Sequence, residues 1–193
     1  MSKLTNLINE LNPVMAGSTT SDQVERIIRD HSVAACAAGL ASGVLPGVGS
    51  IIATLTSAGA IWSMYYRICQ KLHIHISENV LKTLGSAFLT NIVTQLGGVL
   101  LIELAASFVP GVALVASASI CYGVTYVAGY LFIQLLVNVF KAGKRPDQLS
   151  AEELKAIGRA AGEQIHCKTI FKDAQADAKA QIHRGEITKE DAA

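Results

Sequence analysis

The polar side chains with the greatest potential for chemistry lie inside long uncharged segments. Glu103 is the one acidic residue in an otherwise apolar segment, and a carboxylate at membrane depth is costly enough to suggest a relay or ligand role. It lies only seven residues before Pro110, however, so an interfacial carboxylate is the favoured interpretation. Gln95 and Gln134 are the other candidates for intramembrane polar contacts, and hydrogen bonds between helices would explain both.

Histidine and cysteine are the next candidates, because both bind metals and cysteine also forms disulfides. His73 and His75 are two residues apart, and His166 precedes Cys167. A metal site needs at least three well-placed donors, and these spacings do not supply them. The four cysteines are widely separated and include no Cys-x-x-Cys pair. We therefore expect reduced, buried thiols and neither a metal nor a cofactor.

No catalytic motif accompanies these residues. The sequence has no Gly-x-x-x-x-Gly-Lys phosphate loop, no Gly-x-Ser-x-Gly elbow and no His-Glu-x-x-His zinc motif. A net charge of +1 and the lack of a basic run give no electrostatic basis for nucleic-acid binding. We predict that the chain is not an enzyme, has no catalytic residues and binds no nucleic acid.

Charge is unevenly distributed along the 193 residues. The hydrophobic fraction is 51% and the charged fraction only 16%, against about 25% charged residues in ordinary soluble domains. Most of the charge lies near the two ends. We therefore predict three regions: a polar segment 1–31 with a short helix and the start of the first long helix, a duplicated helical-hairpin membrane domain 32–140, and a soluble amphipathic helical tail 141–193.

The apolar domain contains an internal repeat. Pro46-Gly47 recurs as Pro110-Gly111, and Gly59 recurs as Gly123. Proline interrupts a helix and glycine adopts turn conformations easily. The sequence thus predicts an all-α, integral membrane fold with four apolar helices in two hairpins, which turn at Pro46, Gly47, Pro110 and Gly111.

The predicted helices follow from capping signals and breakers. A first long helix ends near Leu45, and the next three run over about Val48–Lys71, Glu78–Val109 and Val112–Ala142. Ser150 and Glu153 form a capping box that opens an amphipathic helix extending to about His183. Small residues suited to close helix packing in lipid occur at Gly39, Gly43, Gly59, Ser119, Gly123 and Gly129.

Segment length leaves two membrane topologies open. The arm 32–45 supplies 14 apolar residues, fewer than the roughly 20 that a bilayer crossing needs, whereas the second hairpin is long enough. Basic residues flank the apolar segments near the termini and in the link between hairpins, and this places both termini in the cytoplasm. The hairpins therefore either cross the cytoplasmic (inner) membrane or dip into one leaflet.

Part of the second copy resembles a known family. Val109-Pro110-Gly111 followed by Thr125-Tyr126-Val127-Ala128-Gly129 is similar to the bacterial helical membrane domain of unknown function found behind GTPase domains and in YcjF-type inner-membrane proteins. The resemblance covers about residues 32–140, and it departs at Leu72-His73, where the family often has Tyr-Gly. It implies membrane association and a link to a GTPase, which we expect to act in trans, and it implies no catalytic residues.

These observations favour a non-enzymatic scaffold or membrane-remodelling module. The expected partners are the lipid bilayer, further copies of the chain in a homo-oligomer, and a GTPase. One alternative is an oligomeric pore or channel lined by polar residues of the third and fourth helices. A second alternative is a soluble all-α interaction module, in which the apolar helices form a buried core.

Overall fold

The computed structural model describes residues 3–12, 20–41, 49–106 and 113–192. Within these ranges the chain is entirely helical, with seven α-helices and no strand. The predicted all-α class is therefore confirmed. The helices are α1 (Lys3–Asn9), α2 (Ser21–Ala41), α3 (Gly49–Lys71), α4 (Glu78–Ala106), α5 (Ala113–Lys141), α6 (Ala151–Gln164) and α7 (Cys167–His183).

The most apolar helix, α5, lies at the centre of the bundle. No residue from 114 to 140 is exposed, because α2, α3, α4, α6 and α7 all pack against this helix. Among the described residues, α5 is the one helix long and apolar enough to cross a bilayer, over Leu114–Lys141, and 78% of its apolar window is buried inside the bundle. A buried core helix has the same composition, so the four-helix membrane domain stays a prediction.

Helices α2 and α5 are antiparallel and in close register. The side chain of Ile28 lies against Gly129, and Gly39 lies against the backbone of Ala118. Helix α2 therefore ends, and α5 begins, at the same end of the bundle, which we call the hairpin end.

Helices α1 and α3 contribute side chains to the same hydrophobic core as α5. Ile8 of α1 is fully buried. The ring of Tyr65 in α3 stacks on Phe132 of α5 at 4.2 Å between centroids. Its hydroxyl donates a hydrogen bond of 3.0 Å to the carbonyl of Ala128. This bond satisfies a polar group that would be costly to bury alone.

The C-terminal tail differs from the single helix that we predicted. The backbone is extended at Ile165 (φ −107°, ψ 144°), and the chain forms two helices, α6 and α7, which we call the C-terminal cover. The break lets Ile165 and Cys167 enter the hydrophobic core, so burial outweighs continuation of the helix. The predicted capping box of Ser150 and Glu153 is present at the start of α6.

The cover packs on the bundle through complementary large and small residues. Phe171 of α7 is fully buried against Gly123 of α5, and Gly158 of α6 accommodates Phe88 of α4. Burying a phenylalanine side chain contributes roughly 1.5–3 kcal/mol. The cover is thus integrated with the core and encloses one side of α5.

Candidate functional site

The predicted hairpin turns cannot be placed. Pro46 and Gly47, and likewise Pro110 and Gly111, lie outside the described residues, as does Gly43.

Three of the predicted packing glycines lie at close contacts between helices. A β-carbon at Gly39 would lie 2.9 Å from the Cα of Ala118, one at Gly123 would lie 2.8 Å from the ring of Phe171, and one at Gly129 would lie 2.7 Å from Cγ2 of Ile28. These distances are shorter than normal van der Waals contacts, so only glycine fits without local movement.

The other two predicted packing residues have different surroundings. Gly59 is exposed, and a β-carbon there would have no atom within 4 Å. Ser119 is fully buried and its hydroxyl donates to the carbonyl of Ala116 at 2.9 Å. Gly59 therefore lies on the surface of α3, whereas Ser119 lies in the core of α5.

The predicted polar residues Gln95 and Gln134 contribute to the contact with the cover. Gln95 Nε2 donates to Asn91 Oδ1 at 2.8 Å and lies 3.5 Å from the carbonyl oxygen of Gly162 in α6. Gln134 Nε2 donates to Asn138 Oδ1 at 3.1 Å. The Nδ2 group of Asn138 then donates to Gln164 Oε1 at 3.0 Å. Glu103 belongs to α4, but its side chain lies outside the described part.

The histidine and cysteine residues considered in the sequence form no metal-binding cluster within the described ranges. No group of three or more histidine, cysteine and acidic side chains in these ranges is arranged to hold a metal ion. His73, His75 and His166 are exposed. All four cysteines are described and buried, and none forms a disulfide. Burial raises the pKa of the Cys167 thiol, which disfavours the reactive thiolate.

The outer face of α4 is exposed but nearly uncharged. We define it by Ser86, Thr90, Val93 and Thr94, all exposed. The three hydroxyls donate to the carbonyl four residues earlier, at 2.8 to 3.0 Å. These donors are thus satisfied within the helix, which lowers the cost of moving the face out of water.

Aromatic and basic side chains border this face at the level of Lys82. The ammonium group of Lys82 lies 4.5 Å from the ring centroid of Trp62 in α3 and 2.7 Å from the carboxylate of Glu78. Tyr66, one turn from Trp62, is 50% exposed. Lys82 and Lys155 of α6 also line a shallow groove of about 440 Å³ along α4. Tryptophan, tyrosine and lysine are the residues typical of a lipid headgroup level.

The outer face of α7 is charged instead. Its exposed positions include Lys168, Lys172, Asp173 and Asp177. These residues flank the contacts that α7 makes with Gly123 and Ala118 of α5. A charged helix therefore covers the middle of the most apolar helix, and this side of the bundle suits water.

Sequence reasoning missed the docking of the cover on α4 and α5. A signal for it was available, because Gly158 and Gly162 lie one turn apart in a helix that is otherwise composed of good helix formers. Glycine inside a helix is unfavourable unless packing requires it. Here Gly158 lies against Phe88 and Gly162 against Asn91.

Comparison with known proteins provides no relative. No family model, no curated protein and no solved structure matches this chain. The resemblance of residues 32–140 to the YcjF-type domain therefore stays a prediction.

Proposed function

We propose that the protein is a non-enzymatic scaffold that binds a membrane surface through the outer face of α4 and the adjoining hairpin end. The observation that carries this proposal is the contrast between the uncharged outer face of α4 and the charged outer face of α7. Lipid would contact the first, while the C-terminal cover would remain in water. This corresponds to the dipping topology, in which the hairpins enter one leaflet without crossing it.

A lipid surface suits this face better than a protein partner. The cations that line the adjacent groove, Lys82 and Lys155, match phospholipid phosphates, and the half-exposed Tyr66 suits the headgroup region. Beyond Thr94, the rest of α4 contains no charged residue except Glu103. A helix that continues with a single charged residue from a cationic and aromatic border is compatible with interfacial insertion.

The pore alternative receives less support. A pore lining needs polar side chains that face water, yet Gln95, Gln134 and Asn138 hydrogen bond within the bundle and to α6. The soluble interaction module is the main competitor, because burial alone accounts for the composition of α5. Self-association and a GTPase acting in trans stay predictions.

A flotation assay with phosphatidylcholine vesicles tests the proposal. Thr90 and Thr169 are both exposed, one on the outer face of α4 and the other on α7, so Thr90→Glu and Thr169→Glu make the same chemical change on opposite sides. We expect Thr90→Glu to weaken vesicle binding at least about tenfold, equivalent to 1.4 kcal/mol. Thr169→Glu should bind within about twofold of the unmodified chain, since its carboxylate stays in water.

Two outcomes would reject membrane association through this face. Full-length protein that stays unbound at all vesicle concentrations supports the soluble interaction module. Equal loss of binding in both variants means that the face of α4 is not the contact surface. Circular dichroism on both variants controls for loss of the fold.

A further inference from the structure

The groove between α4 and α6 offers a ligand two cations and a row of hydroxyl oxygens. It has a volume of about 440 Å³ and is lined by Lys82, Thr83, Ser86, Ala87, Thr90 and Lys155. Its length along α4, from Lys82 to Thr90, is about 12 Å at the helical rise. No acidic side chain is among the described residues that line it. The groove therefore favours an anionic ligand.

The two lysines of the groove belong to different helices. Lys82 lies in α4 and Lys155 in α6. Lys82 also contacts the carboxylate of Glu78 at 2.7 Å, but both of these side chains are more than half exposed, so the ion pair adds little stability. An ammonium group has three donors and no acceptor, and Lys82 can therefore donate to a second anion. The two lysines together suit one phosphate group.

The hydroxyl groups of the groove are available as acceptors. The hydroxyls of Thr83, Ser86 and Thr90 each donate to the backbone carbonyl four residues earlier, at 2.8 to 3.0 Å. A hydroxyl has a single hydrogen but two lone pairs. Because the hydrogen is used within the helix, each oxygen can only accept from a ligand. A complementary ligand thus carries hydroxyl donors beside its negative charge.

We propose that this groove binds the headgroup of a polyol phosphodiester lipid, of which phosphatidylglycerol is the simplest. Its phosphate would contact Lys82 and Lys155, and its glycerol hydroxyls would donate to the threonine and serine oxygens. The inference rests on the proposed membrane binding, because Ser86 and Thr90 belong both to the groove and to the outer face of α4. That continuity favours a membrane lipid over a free polyol phosphate. The headgroup of phosphatidylcholine has no hydroxyl donor and carries a cation, which the lysines repel.

Three kinds of vesicle separate charge from hydroxyl recognition. One consists of phosphatidylcholine alone, and the others combine equal parts of phosphatidylcholine with phosphatidylglycerol or with phosphatidylethanol. Phosphatidylethanol is a phosphodiester of the same charge, but its headgroup has no hydroxyl. Flotation over a range of lipid concentrations gives a dissociation constant for each vesicle. We expect the unmodified chain to bind phosphatidylglycerol vesicles at least about threefold more tightly than phosphatidylethanol vesicles, and both more tightly than phosphatidylcholine alone.

Threonine-to-valine variants test the hydroxyl contacts. Thr83→Val/Thr90→Val removes two acceptor oxygens and keeps the shape of the side chains, whereas Thr94→Val makes the same change one turn beyond the groove. The hydroxyl of Thr94 also donates to the backbone, at 2.8 Å. The preference for phosphatidylglycerol over phosphatidylethanol should disappear in the double variant and persist in Thr94→Val. Because this preference is a ratio measured on one variant, a general change in affinity for lipid cancels.

Lysine-to-glutamine variants test the phosphate contact. Lys155→Gln should weaken binding to both anionic vesicles about fivefold and leave binding to phosphatidylcholine within about twofold. Lys168→Gln makes the same change at an exposed position of α7 and should alter binding to every vesicle by less than about twofold. Circular dichroism on all variants controls for loss of the fold.

Several outcomes would overturn the headgroup site and leave membrane binding intact. These are equal binding of the unmodified chain to phosphatidylglycerol and phosphatidylethanol vesicles, loss of the preference in Thr94→Val, and equal effects of Lys155→Gln and Lys168→Gln. Soluble glycerophosphoglycerol in large excess should not release the chain from phosphatidylglycerol vesicles. Release would show that the groove takes a free polyol phosphate and would overturn the assignment to a lipid. Absence of flotation with every vesicle rejects the proposed function and the headgroup site with it.

Discussion

Helices α4 and α7 both pack on α5, but they present opposite chemistry to the surroundings. Between Lys82 and Gly97, the exposed positions of α4 carry hydroxyls and Val93, which is 43% exposed. The exposed positions of α7 include Lys172 and Asp173. The difference shows that the exposed side of a helix, and not its overall composition, distinguishes α4 from α7. Burial in the bundle accounts for α5. No contact among the described residues covers the uncharged outer face of α4, so the proposed membrane binding rests on α4 and not on α5.

The largest expected effect comes from truncating the main anchor of the cover. Phe171→Ala removes a fully buried ring and should lower the free energy of unfolding by about 3–5 kcal/mol. Val93→Ala on the exposed side of α4 is the control and should change it by less than about 0.5 kcal/mol. Urea unfolding followed by circular dichroism measures both. A loss below about 1 kcal/mol at Phe171 would mean that the cover contributes little to the fold.

Two glycine-to-alanine substitutions, one at a close helix contact and one on the surface, should change the free energy of unfolding by smaller amounts. Gly129→Ala places a methyl group 2.7 Å from Ile28 and should destabilise the protein by about 1–3 kcal/mol. Gly59→Ala points into open space and should stabilise it by about 0.5–1 kcal/mol, because alanine favours the helix. Thermal unfolding of the two variants gives the sign of each effect. Destabilisation by both substitutions would show that the outer side of α3 is covered in solution.

A destabilisation smaller than those at Phe171 and Gly129 is expected at the start of the cover. Ser150→Ala removes the capping hydroxyl of α6, which accepts from the backbone NH of Glu153 at 3.2 Å, and should cost about 1 kcal/mol. Hydrogen bonds from the backbone and side chain of Ser150 lower the pKa of the Glu153 carboxyl. A lowered pKa means that this stabilisation is present at neutral pH and is lost as the pH falls below the ordinary glutamate range.

A pH series of urea unfolding checks that direction. Between pH 7 and pH 3, a Glu153→Gln variant should lose less stability than the unmodified chain, since it has no carboxylate at this position whose protonation could weaken the hydrogen bond from the backbone NH of Ser150. A parallel loss in both proteins would contradict the role of Glu153 in the cap.

Much of the secondary structure follows from local signals. Gly143 and Gly185 have positive φ angles of 68° and 71° and follow the ends of α5 and α7. The capping box of Ser150 marks the start of α6. The break at Ile165 could not be predicted this way, because it results from burial of Ile165 and Cys167 against distant helices. Tertiary contacts therefore override the local helical pattern there.

The candidate site was predictable only in part. An uncharged sequence in α4 indicated lipid contact, but the same pattern in α5 proved compatible with a protein core. Periodicity alone cannot separate these cases, since a helix apolar on all sides fits either environment. The two cases are distinguished by which helices pack on each apolar helix. Helix α7 covers Gly123 of α5, whereas the outer face of α4 is exposed.

Site-specific thiol labelling on vesicles tests the contrast between α4 and α7 most directly. Val93→Cys and Asp173→Cys each add one exposed thiol to a chain whose native cysteines are buried. A membrane-impermeant maleimide should label both variants equally in solution. With vesicles, labelling at position 93 should fall at least about tenfold while labelling at position 173 stays unchanged. Equal labelling of both positions on vesicles, or protection of position 173 alone, would contradict the account.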